Sequence, residues 1–151
     1  MDYPAALWGG IVGAIAMAIV YAGFLGLRLT RFDLVRFEGG FLAHERHGMV
    51  YLYGAIVQLV LGALVALLYR LLFLQFHHAA TYVGWGAVIG LVQGVLVVLA
   101  LPLLGAVNQN VRAGDQPGPG LAGRSYGSWT PLAIVVATVV YGLWVGMFLV
   151  P

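Results

Sequence analysis

The sequence predicts an all-α integral membrane protein, a four-helix transmembrane bundle, and three observations support this. The chain of 151 residues is 62% hydrophobic and only 8% charged, whereas soluble domains contain about 25% charged residues. Its mean hydropathy is +0.98. Four apolar stretches, residues 4–27, 49–73, 81–104 and 129–150, are long enough to cross a hydrocarbon layer, which requires about 20 helical residues. We therefore predict one transmembrane domain over residues 1–151.

The four spans are predicted to be helices because they are apolar on every side, as in "AIVQLVLGALVALL". Strands of a membrane barrel would instead alternate in polarity over about 10 residues. The first span is preceded by Met1-Asp2 without a basic residue, which is not typical of a signal peptide. We expect it to be retained as a helix.

The seven basic residues are all arginines, and their distribution predicts the topology. Arg28, Arg31, Arg36 and Arg46 lie in loop 1 (28–48), two more lie in loop 3 (105–128), and Arg70 alone lies near the other side. The positive-inside rule places loops 1 and 3 in the cytoplasm and both termini on the non-cytoplasmic side, as expected for a bacterial inner-membrane protein. We expect the loop 1 arginines to contact lipid headgroups rather than nucleic acid.

Loop 1 mixes aromatic and charged residues, which is typical of a short amphipathic segment lying in the headgroup region. Phe32, Phe37 and Phe41 would face the membrane, and Gly39-Gly40 would turn the chain into the second span. An ordinary solvated loop is the alternative. Loop 3 is rich in Gly and Pro and is predicted to be flexible. Loop 3 also contains the motif G-x-G-x-x-G, but no βαβ unit surrounds it, so it does not indicate a nucleotide-binding site.

An internal repeat is predicted from two similar stretches, "WGGIVGAIAMAI" at 8–19 and "WGAVIGLVQGVL" at 85–96. They begin the first and third spans, so the repeat unit would be a helical hairpin. Because those spans run in the same direction, the repeat would be parallel, with its axis along the membrane normal.

Small residues recur along every span, and such rows allow helix backbones to approach closely in lipid. The predicted packing or pocket residues are Gly9, Gly13, Gly54, Gln58, Gly62, Ala66, Gly86, Gly90, Gln93, Gly94, Thr138, Tyr141, Gly142 and Gly146. Gln58 and Gln93 lie at similar depths on the second and third spans, so they could bond across the bundle. They serve either as structural contacts or as polar groups of a pocket.

The acidic residues Asp2, Asp33, Glu38, Glu45 and Asp115 all lie outside the spans. The sequence therefore predicts no carboxyl group within the membrane for proton coupling. No cysteine and no lysine is present, so thiol ligands and a lysine base are excluded.

The stretch "HERH" raises the question of a metal or haem site at His44 and His47. Two histidines three residues apart can share a metal on one helix face, but a zinc site requires a third or fourth ligand. Interfacial polar anchoring is the favoured interpretation. His77 and His78 are expected at the opposite side of the membrane.

Three functions follow from these features as hypotheses. The leading one is a non-catalytic accessory or assembly subunit of a homo-oligomer or a larger inner-membrane complex, with itself or other membrane subunits as partners and without a cofactor. The second is a small channel or carrier for a neutral or apolar solute, with Gln58 and Gln93 on its path. The third is a metal- or haem-binding redox subunit that uses His44 and His47.

Overall fold

The computed structural model describes residues 3–45, 48–75 and 82–149, and these residues form helices and loops without a β-strand. In chain order the elements are α1 (Tyr3–Gly26), α2 (Leu34–Gly39), α3 (Val50–Phe73), α4 (Tyr82–Val107), α5 (Gln109–Arg112), a 3-10 helix η1 (Leu121–Tyr126) and α6 (Thr130–Leu149). Helices α1, α3, α4 and α6 are long and apolar enough to cross a membrane. The predicted fold class is confirmed.

The outer surface of the bundle is apolar. Large hydrophobic side chains such as Ile19, Leu68, Leu99 and Leu103 are more than half exposed. A helix satisfies its own backbone hydrogen bonds, so these side chains can face hydrocarbon without leaving polar backbone groups unpaired. The exposed surface is therefore the one that contacts lipid.

The long helices are arranged in the order α3, α1, α6, α4, so helices that follow one another in the chain are not all neighbours. Helix α1 packs against both α3 and α6, and α4 packs against α6. Helices α3 and α4 have few backbone contacts, although the stacked rings of Phe73 and Tyr82, with centres 5.0 Å apart, and a Tyr69–Gln93 hydrogen bond join them. A gap therefore separates their backbones on one side of the bundle.

Glycines determine which helices meet. Gly86 of α4 and Gly142 of α6 face one another so closely that a Cβ on either would collide with the carbonyl oxygen of the other. Gly90 and Gly94 pack against Thr138 and its neighbours in the same way, and Gly146 packs on Tyr82. Helix α1 meets α3 where Gly10 approaches the backbone at Gly62.

The packing of the two helical hairpins is not symmetric. In a parallel repeat, α1 would correspond to α4 and α3 to α6. The extensive contact of α1 with α6 would then correspond to one between α4 and α3, which is nearly absent. The duplication of a hairpin stays a prediction.

Loops 1 and 3 lie together at one end of the bundle, which we call the loop end. Loop 1 folds against the helices there, and the Phe32 ring lies 5.9, 5.1 and 4.8 Å from the ring centres of Tyr21, Phe37 and Tyr126. Phe32 and Phe37 are almost completely buried. The aromatic side of the amphipathic segment therefore faces the protein interior, and not the membrane as expected from the sequence.

Candidate binding cavity

A cavity of about 240 Å³ lies inside the bundle. Helices α1 and α6 form its back wall with Ala14, Tyr21, Ala137 and Tyr141 among others. Helices α3 and α4 form its two sides, and α2 closes it at the loop end. Leu61 of α3 lines the cavity and is also exposed on the outer surface. We therefore infer that the cavity opens towards the membrane on the side where α3 and α4 have few backbone contacts.

Helix α2 reaches the cavity because its first and last residues fit tightly against the start of α3. Asp33 caps the helix, its Oδ1 accepting a hydrogen bond from the Arg36 N–H at 3.0 Å. Gly54 of α3 lies under the carbonyl of Val35, and Gly39 lies against the carbonyl of Val50. Neither glycine has space for a Cβ. This close approach of α2 to α3 brings Glu38, the residue before Gly39, to the cavity.

Loop 3 holds the C-terminal end of α2 through "NQN", residues 108–110. The Asn108 side chain is fully buried, donates to the Phe37 carbonyl at 2.7 Å and accepts from the Asn110 and Val111 N–H groups as the N-cap of α5. Asn110 donates to the Ala43 carbonyl and accepts from the Glu45 N–H. The segment expected to be flexible thus begins with a set of buried polar contacts that fix loop 1.

The carboxyl group of Glu38 is enclosed at the loop end of the cavity. The residue retains some accessible surface and is one of the cavity-lining residues. Burial raises the pKa of Glu38 to about 8, because transfer from water disfavours the charged form. The sequence analysis expected no carboxyl group inside the bundle, because all acidic residues lie outside the spans. Glu38 reaches the cavity from loop 1.

The amide of Gln58 on α3 lies directly beside this carboxyl group. In one orientation, the Gln58 Nε2 donates to the Ala14 carbonyl at 3.4 Å and the amide oxygen faces Glu38, as suits a protonated acid. In the other, Nε2 donates to the two oxygens of Glu38 at 2.7 and 2.5 Å, as suits a carboxylate. Both charge states of Glu38 therefore have a hydrogen-bonding partner, and the second opposes the effect of burial on the pKa.

Four further polar side chains line the cavity: Tyr21, Gln93, Thr138 and Tyr141. Tyr69 of α3 donates to Oε1 of Gln93 on α4 at 2.7 Å, which links the two helices that flank the opening. The Tyr141 hydroxyl donates to the Gly62 carbonyl at 2.6 Å. The Tyr21 hydroxyl is buried near Thr30, but within the described part of the chain it forms no hydrogen bond of ordinary geometry.

No protein-family model, no curated protein and no solved structure matches this chain. Function is therefore inferred from the geometry of the cavity. Glu38 was the residue that sequence reasoning missed. Its signal is the stretch "FEGGF", in which an acid lies among aromatic residues and two glycines that permit close backbone contact.

The packing and pocket residues selected from the sequence are distributed over three places. Gln58, Gly62, Gln93 and Tyr141 line the cavity, and Gly54 lies beneath α2. Gln58 and Gln93 have different partners and do not form the predicted bond with each other. Gly9 and Gly13 of α1 pack against α6. The other five glycines lie between α4 and α6: Gly86, Gly90, Gly94, Gly142 and Gly146.

The arginines of loop 1 differ in their surroundings. Arg28 and Arg31 are exposed at the loop end, whereas Arg36 Nε bonds Glu45 Oε1 at 2.7 Å. Despite partial burial, hydrogen bonds from Gln116 and Arg36 lower the pKa of Glu45. Arg46 lies outside the described residues. Contact of these arginines with lipid headgroups stays a prediction.

The histidine site is described only in part. His44 is exposed, while His47, His77 and His78 lie outside the described residues. Among residues 3–45, 48–75 and 82–149, no three His, Asp or Glu side chains are grouped to hold a metal ion. Metal or haem binding by His44 and His47 stays a prediction.

Proposed function

We propose that this protein binds a small, mostly apolar molecule within the membrane and acts as a binding protein or carrier for it. The observation that supports this is the cavity of about 240 Å³, which has apolar walls and a Glu38–Gln58 pair at one end. Ligand sites are typically apolar clefts with a few polar groups that orient the ligand. Of the three functions predicted from the sequence, the solute carrier fits this geometry best.

The opening between α3 and α4 provides a route from the bilayer. Leu61 and Val65 of α3 and Val97 of α4 line the cavity and are not fully buried, so they would flank this route. A molecule dissolved in the hydrocarbon layer would enter without crossing water. The cavity is slightly smaller than the roughly 300 to 1,000 Å³ of typical ligand pockets, so we expect a compact ligand.

The orientation and the assembly of the protein belong to the same proposal. Six of the seven arginines lie in loops 1 and 3, which favours a cytoplasmic loop end in a bacterial inner membrane. Glu38 would then lie near the cytoplasmic side. The accessory role in a homo-oligomer or a larger complex remains a separate hypothesis.

Native mass spectrometry of the protein, extracted gently from its host membrane, tests ligand binding directly. We expect a bound small molecule in addition to the 16.1 kDa chain. Co-isolated polypeptides without a small molecule would instead support the accessory role.

A matched pair of variants shows whether such a molecule occupies the cavity. Val97→Phe fills the cavity from α4, whereas Val95→Phe places the same side chain on the exposed face of that helix. We expect the adduct to be lost in Val97→Phe and retained in Val95→Phe. An adduct that survives both substitutions would contradict the cavity as its site.

A further inference from the structure

We propose that the polar end of the ligand is a protonated amine and that the Glu38 carboxylate is its counter-ion. This proposal rests on the binding function proposed above and specifies the chemical class of the ligand. It follows from the charges, the hydrogen-bonding capacity and the aromatic residues at the loop end of the cavity.

The cavity contains an acid without a base. Its described lining includes Glu38 and the phenols of Tyr21 on α1 and Tyr141 on α6, but no Arg or His. Helices α3 and α4 contribute only the uncharged amides Gln58 and Gln93. An ionised Glu38 therefore receives hydrogen bonds but no positive charge from the side chains that surround it.

The charged groups next to Glu38 in its own segment are engaged elsewhere. Arg36 bonds Glu45 at 2.7 Å. Asp33 accepts from the Arg36 N–H and from the Tyr51 hydroxyl. Among the described residues of this segment no cation pairs with Glu38, so we assign that role to a ligand.

Hydrogen-bonding capacity supports the same ligand. A carboxylate has about four acceptor positions, and the Gln58 amide group occupies no more than two of them. The Tyr21 hydroxyl, which lies near Thr30, adds a further polar oxygen to the cavity lining. An ammonium group supplies three N–H donors, which matches this excess of acceptors better than a carbonyl ligand does.

Aromatic residues concentrate at this end of the cavity. Tyr21, Phe32, Phe37 and Phe41 all contribute to its lining, and the rings of Phe37 and Phe41 meet edge to face with centres 5.5 Å apart. Aromatic rings attract cations, more strongly where water is excluded. The apolar remainder of the cavity would hold the hydrocarbon body of the amine.

Binding of a cation is then coupled to release of a proton. With a pKa of about 8, Glu38 holds its proton in an empty cavity at neutral pH. When an ammonium ion binds, the O–H bond of Glu38 breaks, the proton leaves to solvent and the carboxylate pairs with the ligand. The net charge of the cavity is unchanged by this exchange.

Three probes with the same hydrocarbon body test the proposal on the full chain in phosphatidylcholine nanodiscs: phenylbutylamine, phenylbutanol and phenylbutyl-trimethylammonium. Binding is measured by calorimetry about one unit above the Glu38 pKa of about 8, with empty nanodiscs subtracted. We expect the amine to bind about tenfold or more tightly than the alcohol, as for hydrogen bonds to a charged group.

Variants locate the effect at Glu38. Glu38→Gln preserves the shape of the side chain and should reduce amine affinity to that of the alcohol, whereas Glu38→Asp should retain part of the preference. Asp115→Asn removes a carboxylate charge in loop 3, at a residue that does not line the cavity, and should change neither affinity. An unchanged amine preference in Glu38→Gln would overturn the assignment of Glu38.

The quaternary probe keeps its charge at every pH and therefore reports the ionisation of Glu38 alone. Its affinity should rise about tenfold per pH unit up to about pH 8 and then level off, since only the ionised fraction binds it. Equal binding of alcohol and amine to the wild-type protein would overturn the amine proposal but leave the binding function intact. Absence of binding of all three probes would overturn both.

Discussion

The amide nitrogen of Gln58, when oriented towards Glu38, lies 2.7 and 2.5 Å from the two carboxylate oxygens of that residue. Gln58 belongs to the membrane-spanning helix α3, whereas Glu38 belongs to the short helix α2 of loop 1. The pair shows that a loop residue completes the polar end of a cavity within the bundle. Its consequences for stability and binding can be measured separately.

The substitution Glu38→Gln should increase stability in a pH-dependent manner. Burial raises the folded-state pKa of Glu38 from 4.5 to about 8, so the unfolded chain releases this proton at lower pH than the folded protein does. The free energy of unfolding of the wild type therefore falls between about pH 4.5 and 8, by up to about 1.4 kcal/mol per unit. Glu38→Gln lacks this pH-dependent loss of stability. In thermal unfolding in detergent, the stabilities of the two proteins should differ most near pH 8 and become similar near pH 4.5.

Glu45→Gln is a control of opposite sign. The pKa of Glu45 is lowered in the folded protein, so its charged contacts stabilise above the unfolded pKa and are lost as pH falls. This variant should be slightly less stable than the wild type at neutral pH, by less than about 1 kcal/mol because the pair with Arg36 is partly exposed. A Glu38→Gln effect that is independent of pH would contradict the buried ionisable carboxyl.

The substitution Gly54→Ala should displace α2. A Cβ at Gly54 collides with the Val35 carbonyl, and relief of such overpacking typically costs about 1–3 kcal/mol. Gly84→Ala is the control, since its Cβ meets nothing within 4 Å and alanine favours a helix by up to about 1 kcal/mol. Unfolding midpoints should fall for Gly54→Ala and remain or rise for Gly84→Ala; equal midpoints would exclude the tight fit of α2.

The membrane spans could be predicted from sequence because hydropathy alone decides which helices remain in lipid. The position of α2 could not, since six residues that include Arg36 resemble an interfacial segment. Their burial depends on Gly54 and Asn108, which are distant in sequence from Glu38. Without those partners, nothing in loop 1 distinguishes an acid in a cavity from an acid in water.

The gap between α3 and α4 was equally hidden, because consecutive elements are usually adjacent in space. The structure gives the reason for it. Gly54 and Gly62 of α3 face α2 and α1, while Gly86, Gly90 and Gly94 of α4 face α6. No glycine row remains on either helix for direct contact with the other, so a cavity occupies the space between them.

The substitution Asn108→Ala should release loop 1. Asn108 caps α5 and donates to the Phe37 carbonyl, so its loss removes a cap, costing about 0.5–2 kcal/mol, and leaves a buried acceptor unpaired. Asn108→Ser keeps a capping hydroxyl without the amide donor, and its effect should be intermediate.

Because the chain has no cysteine, a single Ala43→Cys substitution at a buried position reports release of loop 1. Reaction of this thiol with maleimide should be fastest in the Asn108→Ala background and slowest with Asn108 intact. Equal rates would show that "NQN" does not fix the loop.

The substitution Tyr69→Phe should widen the opening between α3 and α4 with little loss of stability. The hydroxyl of Tyr69 donates to Gln93 across that opening at 2.7 Å, and such bonds between membrane helices average about 0.6 kcal/mol. Helices α3 and α4 have few backbone contacts, and the stacked rings of Phe73 and Tyr82 join them 5.0 Å apart. Tyr69→Phe leaves that stack in place, so we expect local widening near Gln93 rather than loss of the fold. Spin labels at the exposed positions Leu64 and Leu96 should give a longer or broader distance distribution in Tyr69→Phe. Tyr53→Phe, an exposed tyrosine of the same helix, should leave the distribution unchanged, and a similar response of both variants would argue against Tyr69 as the link that limits entry to the cavity.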